Sequence, residues 1–157
     1  MWFVCATRPT PRRSAGITGA ERAAETDHED PRRALGRLGE QLALAHLERL
    51  GFATLARNVR TRHGEIDLIV SDARTLVFVE VKTRRAPSAE RRLAPEAQPL
   101  AWLRPRQQAR IRRLACAWLS DSSRPRSRAG TIRFDAIGVT VDAGGRLVSL
   151  EHLEAAF

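Results

Sequence analysis

The chain has 157 residues, 43% of them apolar, a formal charge of +9 and no run approaching the roughly 20 apolar residues of a membrane span. That length supports one domain with an adequate core, and the Met1–Ala6 run falls short of the about 7–15 apolar residues at the heart of a signal peptide, so a cytoplasmic protein without membrane attachment is expected. Two cysteines far apart (Cys5, Cys116) exclude a disulfide framework, four scattered histidines (His28, His46, His63, His152) lack zinc-ligand spacing, and no nucleotide-binding glycine loop is present.

Residues 1–31 mix proline, arginine, serine and glycine before turning acidic at Glu21–Asp30, the composition of a disordered tail. The folded domain is expected over 32–157. A first helix should begin at Arg32 or Arg33 and stop at Leu50 before Gly51, with Leu35, Leu38, Leu42, His46 and Leu50 forming a broad apolar arc and Glu40 at its margin. Phe52–Asn58 reads as an entering strand.

Residues 64–70 and 76–82 both alternate with period two, so each is expected to be a half-buried strand. Ile66, Leu68 and Val70 point one way in the first, and Glu65 and Asp67 the other. In the second, Val77, Val79 and Val81 oppose Phe78, Glu80 and Lys82. A turn centred between Ala73 and Arg74 sets Asp67 across from Glu80 and Glu65 across from Lys82, with Cβ atoms about 4.5–5.5 Å apart. Two carboxylates that close repel unless a cation lies between them. Magnesium or manganese, with oxygen ligands, waters and phosphate oxygens, resolves that conflict. Lys82 is the only lysine among 27 basic residues, in a chain that otherwise uses arginine for positive charge. A compact ammonium on the face of Glu80 could hold a metal-bound water or neutralise a phosphate. The same residues also suit an ordinary solvent-facing sheet with a Glu65–Lys82 surface pair.

Residues 84–104 carry Pro87, Pro95 and Pro99 and read as a mobile loop near those strands. A second helix should start at Pro105 and run to Leu119, burying Ile111, Leu114, Ala115, Trp118 and Leu119 and turning Arg106, Arg110 and Arg113 outward. After a polar loop over 120–130, Thr131–Val141 and Arg146–Leu150 form a second hairpin, with Asp135 out of step with Phe134 and Ile137. Trp102 and Trp118 are assigned to the core, and the absence of tyrosine argues against base stacking. Between Arg84 and Arg133, thirteen arginines stand against Glu90, Glu96 and Asp121, a net +10 that suits a polyphosphate partner.

Gly39-Glu40, Arg57-Asn58-Val59-Arg60, Gly64-Glu65-Ile66-Asp67-Leu68-Ile69, Val77-Phe78-Val79-Glu80-Val81-Lys82-Thr83-Arg84 and Arg133-Phe134-Asp135 together resemble the bacterial YraN family over roughly residues 35–157. That family resembles the PD-(D/E)xK nucleases and the archaeal Holliday-junction resolvases. The resemblance implies an α/β, restriction-endonuclease-like fold with a central mixed β-sheet flanked by helices. It also implies metal-dependent hydrolysis of DNA, branched or damaged DNA included. Carried over residue by residue, Asp67 and Glu80 are metal ligands with the Val81 carbonyl, Lys82 is the catalytic lysine, and Glu40 is the extra acid on the first helix. Arg84, Arg85, Arg106, Arg110 and Arg113 are the expected nucleic-acid contacts. One departure is Gln107, near which the resemblance implies a lysine; Arg104, Arg106 and Arg110 lie close enough to substitute. Cutting both strands of a junction would favour a homodimer. The alternative from another class is a nucleic-acid-binding protein that keeps the fold without turnover, and a third is a scaffold for an acidic protein partner.

Overall fold

The computed structural model describes residues 30–86, 103–124 and 129–157, so the expected tail, most of the 84–104 loop and Trp102 lie outside the described residues. Helix α1 (Pro31–Arg49) is followed by strands β1 (Ala53–Thr61), β2 (Gly64–Ser71) and β3 (Thr75–Arg85), helix α2 (Pro105–Ser120), and strands β4 (Thr131–Val141) and β5 (Leu147–Leu153). The start of α1 follows from its capping: Asp30 accepts a hydrogen bond from the Arg32 N–H at 2.9 Å, and Pro31 tolerates the first turn because its missing N–H has no partner to lose there. Gly51 takes φ +91 after the last turn, as a helix stop requires.

The strands form one mixed α/β sheet in the order β1-β2-β3-β4-β5, antiparallel except for the parallel β3–β4 pair that brackets α2. Helices cover both faces. On one, Ala43 and Leu47 of α1 pack on Leu68, Val70, Val77, Val79, Val81, Ile137, Val139 and Val141. On the other, Leu114, Ala115 and Trp118 of α2 pack on Val59, Ile66, Ile69, Leu76 and Phe78. The strands expected to be half-buried over 64–70 and 76–82 are instead covered on both faces, so Ile69 and Phe78 are as fully buried as Leu68 and Val77.

Three further expectations about faces fail, each for a packing reason. The buried stripe of α1 is Gly39, Ala43 and Leu47, four residues apart, with Leu35, Leu38 and Leu42 on its shoulders and Leu50 about half exposed beyond the last turn. Leu119 is exposed because Trp118 occupies the sheet-facing position beside it. In β2 the period-two alternation breaks: Ile66 packs beneath α2, whereas Leu68 packs beneath α1. The break falls at Asp67, facing Asn58, which takes φ +49 between the paired positions Arg57↔Leu68 and Val59↔Ile66. Asparagine is among the few non-glycine residues that tolerate that backbone region.

Gly39 sets how closely α1 approaches the sheet. A Cβ built there would lie 2.7 Å from the Thr83 Cβ and closer still to its hydroxyl, and no rotamer moves that Cβ away. Gly39→Ala gains about 1 kcal/mol of helix propensity but overpacks this contact, which typically costs about 1–3 kcal/mol or more. A net loss of stability, visible as a lower urea midpoint and restored by adding Thr83→Gly, is expected. An unchanged midpoint would mean that α1 does not press on β3 here.

Candidate active site

The close approach at Gly39 carries the next residue, Glu40, to the rim of a cavity of about 300 Å3 between α1 and the sheet. Glu40, Asp67, Val81, Lys82 and Arg32 line it. The sheet opens at this point. Pairing between β2 and β3 runs from Ser71↔Leu76 to Leu68↔Val79, the register that sets Asp67 opposite Glu80. Beyond it, the Val81 N–H donates at 2.7 Å to the Asp67 Oδ2 instead of to a β2 carbonyl. A carboxylate thus closes the ladder where the strands part and holds its second oxygen free of that bond.

Asp67 and Glu80 do not share one face as the simple hairpin predicts. Asp67 turns toward the α1 cavity because the alternation of β2 breaks at its position. Glu80, in step with Phe78, turns toward α2 and is only 8% exposed. Its Oε1 accepts from Gln107 Nε2 at 2.8 Å and from Arg110 Nη2 at 3.3 Å. Arg110 therefore faces the sheet, and not solvent as its helical position suggests. Gln107 is the functional neighbour that sequence reading treats only as a missing lysine. Its spacing of three from Arg110 on one helix face is the signal that could have found it.

The electrostatics follow from this arrangement. Burial, then the charge of Glu80, pushes the Asp67 carboxyl up to about 7, with smaller contributions from Glu40 and Glu65 and a counteracting one from the Val81 N–H. Burial also raises Glu80, against the pull of Arg110, Gln107 and Lys82. Among the described residues, Glu40 Oε2 is a buried oxygen without a hydrogen-bond donor, and no three His, Cys, Asp or Glu side chains converge as a ready-made cation cage. The cavity thus sets two acids, Glu40 and Asp67, beside two cationic residues, Arg32 and Lys82, with one Glu40 oxygen left without a donor among the described residues.

The remaining predicted residues are scattered. Lys82 is exposed at the cavity and lowers the Glu80 carboxyl by its charge. Glu65 pairs with Arg60 at 3.5 Å. Arg85 donates to the Ala143 carbonyl at 2.8 Å in the β4–β5 turn, Arg84 is half-buried at the end of β3, and Arg106 is exposed on the first turn of α2. Arg113 is exposed on α2, across a concavity from the β1–β2 turn. Asp135, expected out of step with Ile137, is fully buried on the same face and gathers Arg133 and His152, with His46 beyond it at 3.2 Å from His152. Two histidines far apart in sequence thus meet beneath α1.

No helix among the described residues is long and apolar enough to cross a membrane. Residues 39–139 match the model of the uncharacterised protein family UPF0102. A UPF0102 protein of Acidothermus cellulolyticus is 44% identical over 115 residues, covering 69% of this chain and 82% of that protein. One of Pelotomaculum thermopropionicum is 42% identical over 128 residues, covering 82% and 98%, and one of Streptomyces griseus 44% over 121 residues, covering 77% and 93%. The matched span contains Gly39-Glu40, the Asp67 strand and Glu80-Val81-Lys82, the segments that carry the resemblance to the YraN family, and the chain belongs to this family, UPF0102.

Proposed function

We propose that this protein is a divalent-cation-dependent hydrolase of phosphodiester bonds in DNA, with a restriction-endonuclease-like architecture. The observation that carries the reading is the cavity itself: Asp67 with a raised carboxyl, Glu40 with an unpartnered buried oxygen, the Val81 backbone and the chain's single lysine all at one opening of the sheet. Magnesium or manganese suits such a place, because one or two carboxylates, a carbonyl, waters and substrate phosphate complete its shell. Asp67, Glu40 and the Val81 carbonyl are the residues that would hold the ion. When bound, it would supply charge neutralisation and a water of lowered pKa. Glu80 stands on the far side of the same strand, where Gln107 and Arg110 fix its orientation. Lys82 is exposed at the rim and its charge reaches Glu80, so its ammonium is available to neutralise charge developing on a phosphate oxygen.

A second reading, a nucleic-acid-binding module without turnover, draws on the Arg110–Glu80 pair, since that guanidinium already serves as a cation for Glu80. Cleavage assays decide between them. Labelled duplex, single-stranded, flap and four-way-junction DNA, with RNA alongside, would be incubated with Mn²⁺ or Mg²⁺ and either the parent or Lys82→Ala. Removing one preorganised electrostatic group typically costs about 10²–10³-fold in rate. A loss of that size in a variant with unchanged circular dichroism supports hydrolysis. A Lys82→Ala protein that cuts at the parent rate removes Lys82 from the mechanism, and bound but uncut DNA with both proteins favours the binding module.

A further inference from the structure

A larger concavity of about 770 Å3 lies on the opposite face from Asp67, between the β1–β2 turn and the C-terminal half of α2. Arg60, Arg62, Arg112, Arg113 and Arg124 line it, and Asp121 is the one acid among the lining residues. We propose that this groove seats the sugar–phosphate backbone of a nucleic-acid strand and leads it toward Glu80. The assignment rests on the nucleic-acid partner of the reading above, but not on cleavage.

Three observations support it. The arginines come from four different pieces of chain: a strand end, a turn, a helix and the turn after that helix. From Arg113 to Ser120 alone the groove follows α2 for roughly 10 Å, an extended track suited to successive phosphates. The positive charge is also available. Arg60 is 87% exposed with Glu65 at 3.5 Å, and Arg124 and Asp121, at 3.0 Å, are each 40% exposed. Surface pairs of this kind are worth little, so a phosphate can displace the carboxylate and gain a charge-assisted contact with the guanidinium.

The groove ends on the Glu80 side of the sheet, not at the Asp67 cavity. Arg110, one turn before Arg113 on α2, already reaches Glu80 and lies so close to the backbone at Gly64 that a Cβ there would come within 2.7 Å of its guanidinium. Gly64 directly follows His63 of the groove wall. A strand lying on Arg62 and Arg113 therefore has Arg110 as its next cationic contact. The floor does not suit base stacking: Trp118 is 3% exposed, and its indole N–H is buried without an acceptor among the described residues. Recognition would fall on the backbone, with little dependence on sequence.

The test is fluorescence anisotropy of labelled single-stranded and duplex DNA with the full chain in EDTA, across a salt series. Arg62→Gln/Arg113→Gln would be compared with Arg49→Gln/Arg74→Gln, which removes the same charge from exposed positions at the end of α1 and in the β2–β3 turn. The groove variant should bind roughly tenfold more weakly and lose about two units from the slope of log affinity against log salt, whereas the control changes by less than about threefold. Equal losses in both variants would overturn the groove in favour of a diffuse field. So would a parent that binds no DNA, or polyglutamate competing as well as unlabelled DNA. Groove-dependent binding by a parent that cuts nothing with Mn²⁺ would keep this assignment and remove the hydrolase reading.

Discussion

Asp135→Ala is expected to be the most damaging single substitution for stability, costing about 3–5 kcal/mol. Against the roughly 5–15 kcal/mol that holds a typical domain, such a loss should shift the urea midpoint severely or leave no folded protein at 37 °C. The reason is the charge left behind. The fully buried Asp135 carboxylate accepts from Arg133 Nε at 2.9 Å and Nη2 at 2.8 Å, from His152 Nε2 at 2.9 Å and from the Ala155 N–H at 3.1 Å. Alanine would strand a guanidinium that is 20% exposed, leaving it the solvent-facing Glu154 and the face of Phe52. Asp135→Asn keeps the shape and one acceptor, so it should fall between parent and alanine. An alanine variant with the parent's midpoint would show that this network contributes no net stability.

The same network sets an acid limit. Burial opposes the Asp135 charge, but His152, Arg133 and the Ala155 N–H outweigh it and hold the carboxyl below the usual carboxylate range. The unfolded chain therefore takes up this proton first as pH falls. Stability from Asp135 is complete above about pH 4 and is lost as pH drops through the lower, folded value. Arg133 and Asp135 are two apart on one strand face, so their pairing is legible in the sequence once the strand is known. The histidines are not, because His46 and His152 meet only after α1 is laid across β4 and β5.

Period two identified the central strands, and proline with glycine placed the helix ends, because these are local signals. The register of the β2–β3 hairpin was equally legible, since its turn is short and the pairing from Ser71↔Leu76 onward follows from it. What alternation could not show is the reversal at Asp67, which falls where Asn58 on the neighbouring strand takes a positive φ. For that reason Asp67 and Glu80 were expected side by side, whereas they open toward different helices. Gly39-Glu40 illustrates the converse. The resemblance marked it as a motif, but only the packing of α1 on Thr83 explains why a glycine precedes the acid.

Asp67→Asn should stabilise the protein at pH 8 while removing the carboxylate that the proposed chemistry needs. In the folded state burial, Glu80 and Glu40 lift the Asp67 carboxyl to about 7, whereas in the unfolded chain it returns to its ordinary value near 3.8. The folded protein thus binds this proton more tightly than the unfolded chain. Its contribution is full below about pH 4 and declines as pH rises through 7, by on the order of 4 kcal/mol. Asparagine has the same shape and keeps an acceptor for the Val81 N–H, but it never ionises. Parent and variant should accordingly have similar urea midpoints near pH 4, diverge as pH rises from about 4 to 7 and differ by a constant amount toward pH 8, with the variant the more stable. A difference that stays flat across that range would refute the raised carboxyl. Mn²⁺ added at pH 8 provides the complementary test, because a cation bound only by the folded state raises stability with its concentration. If Asp67 helps to hold that ion, Mn²⁺ should recover much of the gap for the parent and leave the asparagine variant where it was. An equal rise in both proteins would place cation binding elsewhere and leave Asp67 as a strained carboxylate whose role is to close the end of the β2–β3 ladder.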